Sequence, residues 1–185
     1  MDVHTAIETR RAARSLDPVE VTAELARDLA SHARLSPSCF NNQPWRFVFV
    51  FEPDRLEAMK PVFNEGNRWC HAASMIIAVF SRKEDDCLIR DREYHQFDTG
   101  MATAFLILRA TELGLVAHPI AGYSPKKTRV VLGIPEEYQV VTLVLVGKRS
   151  MTLNPSLSEE QIEAEAARPE RLPLERFAFM NGYGG

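Results

Sequence analysis

Ser36-Pro37-Ser38-Cys39-Phe40-Asn41-Asn42-Gln43-Pro44-Trp45-Arg46-Phe47 is a loop sequence dense in hydrogen-bonding groups, set between a helical pattern and a strand pattern. Pro37 and Pro44 fix φ and lack a backbone N–H. Ser38, Asn41, Asn42 and Gln43 supply hydroxyl and amide groups within six residues. Phe40 and Trp45 add large flat apolar surfaces. A loop that is rigid, polar and aromatic suits a planar ligand with a hydrogen-bonding edge, such as an isoalloxazine ring. The same residue types also make an ordinary turn ahead of a strand, so this stretch alone leaves both readings open.

Outward from that loop, the flanks set its frame. On its N-terminal side, Pro18 and Thr22 flank a helix start, Leu25, Leu29 and Ala33 descend one face in four-residue steps, and Pro37 stops the pattern. On its C-terminal side, Phe47-Val48-Phe49-Val50-Phe51 reads as a strand buried on both faces. Val3, Ala6 and Ile7 predict an opening helix over 3–14. On a continuing helix Arg10 and Arg14, or Arg11 and Arg14, would share a face and repel. An anion held by paired guanidinium hydrogen bonds would relieve that repulsion; a solvated basic face is the alternative.

Further along, 53–59 predicts a short helix and 61–69 is irregular. Residues 74–80 predict a second buried strand, and 82–92 a charged, solvated segment. The most apolar helix is expected over 98–113. It is capped at Asp98 or Thr99, ended by Gly114, and apolar around nearly its whole circumference. In a chain this small, another subunit is the expected cover. A short strand at 115–120 leads into Pro119-Ile120-Ala121-Gly122-Tyr123. There Gly122 permits close backbone approach or positive φ. Ser124-Pro125 opens a helix ending at Gly133, and 139–146 is the last strong strand. From Asn154 a polar tail leads to Phe177, Phe179 and Met180, which predicts a docked rather than free end.

A chain of 185 residues with 45% hydrophobic and 25% charged residues is expected to be one globular domain with a substantial core. Its core would be 1–153 and its C-terminal arm 154–185. The net charge of −3 argues against a general nucleic-acid binder. Cys39, Cys70 and Cys87 are too few and too widely spaced for a disulfide framework or zinc signature, which points to a reducing cytoplasm. Cys39 is expected to be a small buried filler. No secretory leader is expected from Met1-Asp2-Val3-His4-Thr5, and the apolar stretch within 101–110 is too short to span a bilayer. His71 and His118 lack a second ligand at metal spacing, so no metal site is expected. No Gly-x-Gly-x-x-Gly motif marks a Rossmann site.

The 36–47 stretch resembles the signature loop of the FMN-dependent nitroreductase family, with Cys39 in place of the family's second serine. Resemblance recurs at Arg10-Arg11-Ala12-Ala13-Arg14, at Asn67 and Trp69, at 119–123, and at Arg171-Leu172-Pro173-Leu174-Glu175, in the family's order over nearly the whole chain. It implies an α+β fold with a mixed sheet flanked by helices. It also implies a homodimer built on the long central helix, with the C-terminal arm exchanged onto the partner. FMN would lie at the dimer interface. By the resemblance, Arg10, Arg11, Arg14 and Arg171 would hold its phosphate and ribityl chain. Pro37, Ser38, Cys39, Asn41, Gln43 and Asn67 would meet the ring, as would Pro119, Ile120, Ala121 and Gly122. Arg68 and Arg168 are further candidates. Ala12 and Ala121 replace a frequent serine and glutamate, which removes those side-chain contacts.

The activity implied is an NADH- or NADPH-dependent flavin oxidoreductase passing hydride through flavin N5 to a small organic acceptor such as a nitroaromatic or quinone. The cofactor carries that chemistry, so no side-chain nucleophile or general base is assigned. A non-catalytic flavin-binding protein for storage or sensing is the alternative. A dehalogenating or flavin-fragmenting branch is less in keeping with a chain too short for a lid.

Overall fold

Met75-Ile76-Ile77-Ala78-Val79-Phe80-Ser81 forms strand β3, and every one of its residues is buried. This is the behaviour expected of an unbroken apolar run covered on both faces. The computed structural model, which describes residues 1–184, builds an α+β fold around it. β3 pairs with β2 (Arg46–Val50) on one side and with β7 (Gln139–Arg149) on the other. β7 also pairs with β6 (Val116–Ile120) and, at its C-terminal end, with the two-residue β1 (Leu16–Asp17). Every pairing among the described residues is antiparallel, so the expected mixed sheet is not formed within one chain.

Side chains alternate across this sheet. Ile76, Ala78 and Phe80 join one core with Val62, Trp69, Tyr123 and Leu145. Met75, Ile77 and Val79 join a second core with Leu29, Trp45, Leu106 and Val146. The first face is covered by α3 (Pro53–Met59), the 3₁₀ turns at Lys60–Val62 and Glu65–Ala72, and α5 (Pro125–Leu132). The second is covered by α2 (Ala23–Ala33) and α4 (His95–Glu112). Thr22 caps α2 by accepting from Leu25 N–H, and Gly133 ends α5 at φ 67°, as their sequences predict.

Several boundaries differ from expectation. α1 is Val3–Thr9, and Arg10 turns out at ψ 124°. The arginines therefore lie on an extended segment that delivers the chain to β1 at the sheet edge, not on one helix face. β2 is an edge strand with its central residues half-buried rather than enclosed, because it pairs with β3 alone. α4 starts at His95, ahead of the predicted cap. Asp98 is buried inside its first turn and bonds elsewhere. Residues 82–94 include a small hairpin, β4 (Leu88–Ile89) with β5 (Arg92–Glu93). Phe97 and Phe105 on α4, Leu113 just past its end, and Val3 and Ile7 on α1 remain exposed.

A last helix, α6 (Glu159–Ala166), opens with a Ser158–Gln161 capping box. Beyond it Leu172, Leu174, Phe177, Met180 and Tyr183 are exposed. The last residue of the predicted arm, Gly185, lies outside the described residues. Among the described residues no helix is long and apolar enough to cross a membrane.

Candidate functional site

Arg10, Arg11, Arg14, Arg168 and Arg171 line one cleft of about 120 Å³ with Ala12, Ala164 and Pro169. None of these guanidiniums forms an ion pair among the described residues. Burial, then the charges of Arg168, Arg171 and Arg11, push the Arg10 pKa down. A cluster of mutually repelling cations, partly withdrawn from water, stores electrostatic cost that a bound dianion relieves.

The cleft is held open from within the fold. Buried Glu165 on α6 accepts from the backbone N–H groups of Arg14 and Ser15. Arg11 donates to the carbonyls of Ala164 and Glu165 at the C-terminal end of α6, 3.3 and 3.4 Å away. Arg168 donates to the carbonyls of Glu8 and Arg10. Arg171 stands exposed at the rim. Nothing in the sequence pointed to Glu165: its partners lie about 150 positions away.

From Arg14 a contiguous path leads to the turn after β6. The Arg14 guanidinium lies 6.0 Å from the Trp69 ring centroid. Trp69 is fully buried, packs its ring 4.8 Å from that of His118, and donates through Nε1 to Asn67 Oδ1 at 3.0 Å. Asn67 Nδ2 donates to Gly122 O at 2.9 Å. A Cβ at position 122 would sit 2.1 Å from Asn67 Nδ2, so this packing requires glycine there. Each end of the Asn67 amide is used once, which leaves one donor and one acceptor for a ligand. His118 Nδ1 lies 2.9 Å from Ala13 O and so carries the proton. Burial, with Arg14 and Arg10 nearby, holds the ring neutral. Pro119 and Ala121 are exposed, and Ile120 is buried. Arg68 is exposed and pairs with Glu65 at 2.9 Å.

The 36–47 loop is a second, separate group. Phe40, Asn41 and Gln43 adopt φ of 47°, 60° and 52°. These are left-handed conformations that non-glycine residues avoid. Ser38 Oγ accepts from Gln43 N–H at 3.0 Å, and Asn41 O accepts from Gln43 Nε2 at 3.1 Å. Pro37 is exposed, and Phe40 is 82% exposed. Trp45, predicted to offer a flat surface to a ligand, is instead buried in the second core. Cys39 is not a free buried filler: it is disulfide-bonded to Cys87. The antiparallel register explains the pairing. Arg46 faces Phe80, and the two cysteines lie seven residues before the one and seven after the other. Cys70 is the free, buried thiol, pushed up to about 12 by burial.

Cys39 N–H donates to Asp98 Oδ2 at 2.6 Å. Burial, then the charge of Asp86, raises the Asp98 pKa, and the Cys39 N–H opposes them. A raised carboxyl pKa means that the folded state binds this proton more tightly than the unfolded chain. Stability from Asp98 is therefore present in acid and lost as pH rises from the unfolded value near 3.8 through the folded one. Asp98→Asn keeps an acceptor for Cys39. Urea midpoints from pH 4 to 8 are expected to fall more steeply for the native sequence than for this variant, with the variant more stable at neutral pH. Parallel pH profiles would show that Asp98 carries no such linkage.

No hydrogen bond or ion pair among the described residues joins the arginine cleft to the 36–47 loop. The site residues thus form two half-sites on one chain: a cationic cleft with the Asn67–Gly122 turn beside it, and a polar loop fastened to α4. The cleft fits the phosphate of FMN, with guanidiniums unpaired and crowded together, and Gly122 and the spare Asn67 groups fit a close-packed polar ligand edge.

An α+β protein with a cleft lined by arginines beside its sheet is the class defined by fold and site. Comparison with known proteins then gives the family. The nitroreductase family profile matches residues 7–68 and 63–148, and the chain belongs to that family. An uncharacterised 15.4 kDa protein of Mycolicibacterium smegmatis is 32% identical over 124 residues, covering 66% of this chain and 80% of that one. An NADH dehydrogenase of Thermus thermophilus is 24% identical over 208 aligned positions, covering 95% and 94%. A crystal structure described as an oxidoreductase containing FMN superposes with a TM-score of 0.85 at 28% identity. It covers all of this chain and 94% of its own.

Proposed function

We propose that the protein is an FMN-dependent oxidoreductase that draws electrons from NADH or NADPH and passes them to a small organic acceptor of the nitroaromatic or quinone type. The observation that carries this reading is the arginine cleft, whose cations have no protein counter-charge. When bound, FMN supplies hydride acceptance at N5 and electron delivery to the acceptor. The family membership, the FMN-containing structural relative and the Thermus thermophilus relative named as an NADH dehydrogenase all support it.

In this reading Arg10, Arg14 and Arg171 grip the phosphate by charge-assisted hydrogen bonds. Arg11 ties the 10–14 segment to α6, and Arg168 ties its start to the chain just after α6. Asn67 and the 119–122 turn orient the ring edge, and dipoles there favour the anionic reduced form. Two half-sites that do not meet within one chain call for a second copy. The exposed apolar residues of α1 and α4 supply a surface for a homodimer, and the exposed apolar arm supplies a segment to reach across. The 36–47 loop of one subunit would then close over the cleft of the other. A cytoplasmic setting, with its nicotinamide nucleotide pool, belongs to the same reading.

The test is direct. Purified protein loaded with FMN is expected to show flavin absorbance that bleaches anaerobically with NADH or NADPH. It is also expected to turn over with menadione or a nitroaromatic. Flavin that binds yet is reduced by neither nucleotide leaves the storage or sensing reading in its place. A colourless monomer that ignores added FMN defeats both.

A further inference from the structure

We propose that Cys39–Cys87 is a redox-active pair, opened by low-molecular-weight thiols through a cleft at Cys87, whose closed form holds the 36–47 loop in shape. The role of that shape in FMN binding rests on the function proposed above; the bond and its exchange do not.

The loop needs an outside fastening. Phe40, Asn41 and Gln43 are held at positive φ, which their side chains disfavour. The Ser38–Gln43 and Asn41–Gln43 bonds close within the loop itself. Its ties to the rest of the molecule include Cys39 N–H to Asp98, Asn42 Nδ2 to Asp86 Oδ1 at 3.4 Å, and the disulfide. The weak Asn42 contact and the disulfide converge on neighbouring residues, Asp86 and Cys87. Breaking the bond removes the covalent tie to the 38–43 turn, while Trp45, Arg46 and Phe47 stay anchored by the core, by Asp85 and by the β2–β3 ladder.

The pair is also reachable. Cys87 is partly exposed and lines a surface cleft of about 280 Å³ with Lys83, Glu84, Asp86, Leu88 and Glu93. Lys83 is the one cation in a lining that also carries Glu84, Asp86 and Glu93, so access to Cys87 rests on its exposure rather than on attraction of an anionic thiolate. Exchange depends on access and on the attacking thiolate, and buried Cys70 has neither access nor thiolate character.

A proton source stands beside the bond. Asp86 Oδ2 is buried with no partner among the described residues. Asp98, its neighbour, has its pKa raised in part by Asp86. When Asp98 is protonated, its O–H would supply the donor that Asp86 Oδ2 lacks. A carboxylate oxygen of Asp86 lies within 4.8 Å of both sulfurs. With the sulfurs bonded to each other, Cys39, Asp86 and Cys87 offer no thiolates to a metal ion.

The exchange balances without a cofactor. A thiolate attacks the Cys87 sulfur, the Cys39–Cys87 bond breaks, and Cys39 leaves and takes up a proton from the adjacent acid pair. A second thiolate attacks the mixed disulfide, releases Cys87, and departs as the oxidised thiol dimer. Protons given up by the two incoming thiols restore the acid pair and protonate Cys87. One protein disulfide is reduced and two thiols are oxidised.

The experiment uses the full chain purified in air. Iodoacetamide under denaturing conditions without reductant is expected to label one cysteine, Cys70, and peptide mapping to recover Cys39 linked to Cys87. Glutathione followed by iodoacetamide on the native protein is expected to label Cys39 and Cys87 and to spare Cys70. Amide exchange across 38–43 is expected to quicken at least tenfold on opening. FMN should bind about three- to tenfold more weakly. Cys87→Ser should reproduce both changes without added thiol, and the wild-type reduction series stands even if that variant folds poorly. Three labels in the unreduced protein, a bond that native-state thiols do not open, a co-purified metal held by the two thiolates, or unchanged exchange across 38–43 after opening would each overturn the proposal. Failure of the closed form to bind FMN at all would instead strike the functional reading, since labelling and amide exchange need no flavin.

Discussion

Arg10→Ala is expected to weaken FMN binding about 10- to 100-fold while leaving riboflavin affinity within about twofold, because a hydrogen bond to a charged group contributes roughly 1.5–3 kcal/mol. Riboflavin has the same ring and ribityl chain without the phosphate, so the contrast isolates the cleft. Burial, and after it the charges of Arg168, Arg171 and Arg11, depress the Arg10 pKa, and Arg10 makes no ion pair among the described residues. Removing it also relieves repulsion in the ligand-free protein. The apo melting temperature is therefore expected to stay level or rise while the FMN-bound one falls. An arginine serving only structure would lower both. Arg168→Ala is a useful contrast: its guanidinium is already engaged with the Glu8 and Arg10 carbonyls, so its loss should loosen the apo loop as well as the ligand. Equal losses for FMN and riboflavin in Arg10→Ala would remove this cleft as the phosphate site.

Much of the frame was legible because it rests on local chemistry. Thr22, Pro53, Ser124-Pro125 and Gly133 mark helix ends by capping and fixed φ, and α2, α3 and α5 fall where those residues place them. β3 and β7 announce themselves as apolar runs. What escaped depends on pairing. The half-burial of β2 follows from its edge position, which its own five residues do not encode. α1 ends at Thr9 because the chain must reach β1, although Arg10–Arg14 carries no helix breaker. The Cys39–Cys87 bond and the Asp98 contact appear only once β2 and β3 are set in register. Of the candidate site, Arg10, Arg11, Arg14 and Arg171 came from the family resemblance, because the helical spacing that would have put the first three on one face is not formed. Glu165, which fixes them, was not legible, because a lone glutamate in an acidic tail looks solvated until α6 docks.

Trp69 is where the fold's stability and the site's geometry coincide. Trp69→Ala is expected to cost about 3–5 kcal/mol in urea unfolding, the usual range for emptying a buried aromatic position. The ring is fully buried in the core on the α3–α5 face, stacks near His118, and lies under the Arg14 guanidinium. Its Nε1–H satisfies Asn67 Oδ1, and Asn67 in turn holds the Gly122 carbonyl. Trp69→Phe keeps most of the apolar volume but removes that donor. It should cost about 1–2 kcal/mol, the scale of one lost buried hydrogen bond with its acceptor left unpaired. The two variants therefore separate packing from orientation. If the ring only fills space, Trp69→Phe should bind FMN like the native protein. If the ring also sets Asn67 and the 119–122 turn, Trp69→Phe should fold and keep its phosphate grip, yet lose affinity for riboflavin and FMN alike. That pattern is the reverse of Arg10→Ala, so the pair tests whether cleft and turn act as distinct parts of one site. A loss below about 1 kcal/mol for Trp69→Ala would mean that the core around it collapses without cost, contrary to the cavity behaviour of packed interiors, and the turn must then be supported by something other than this ring.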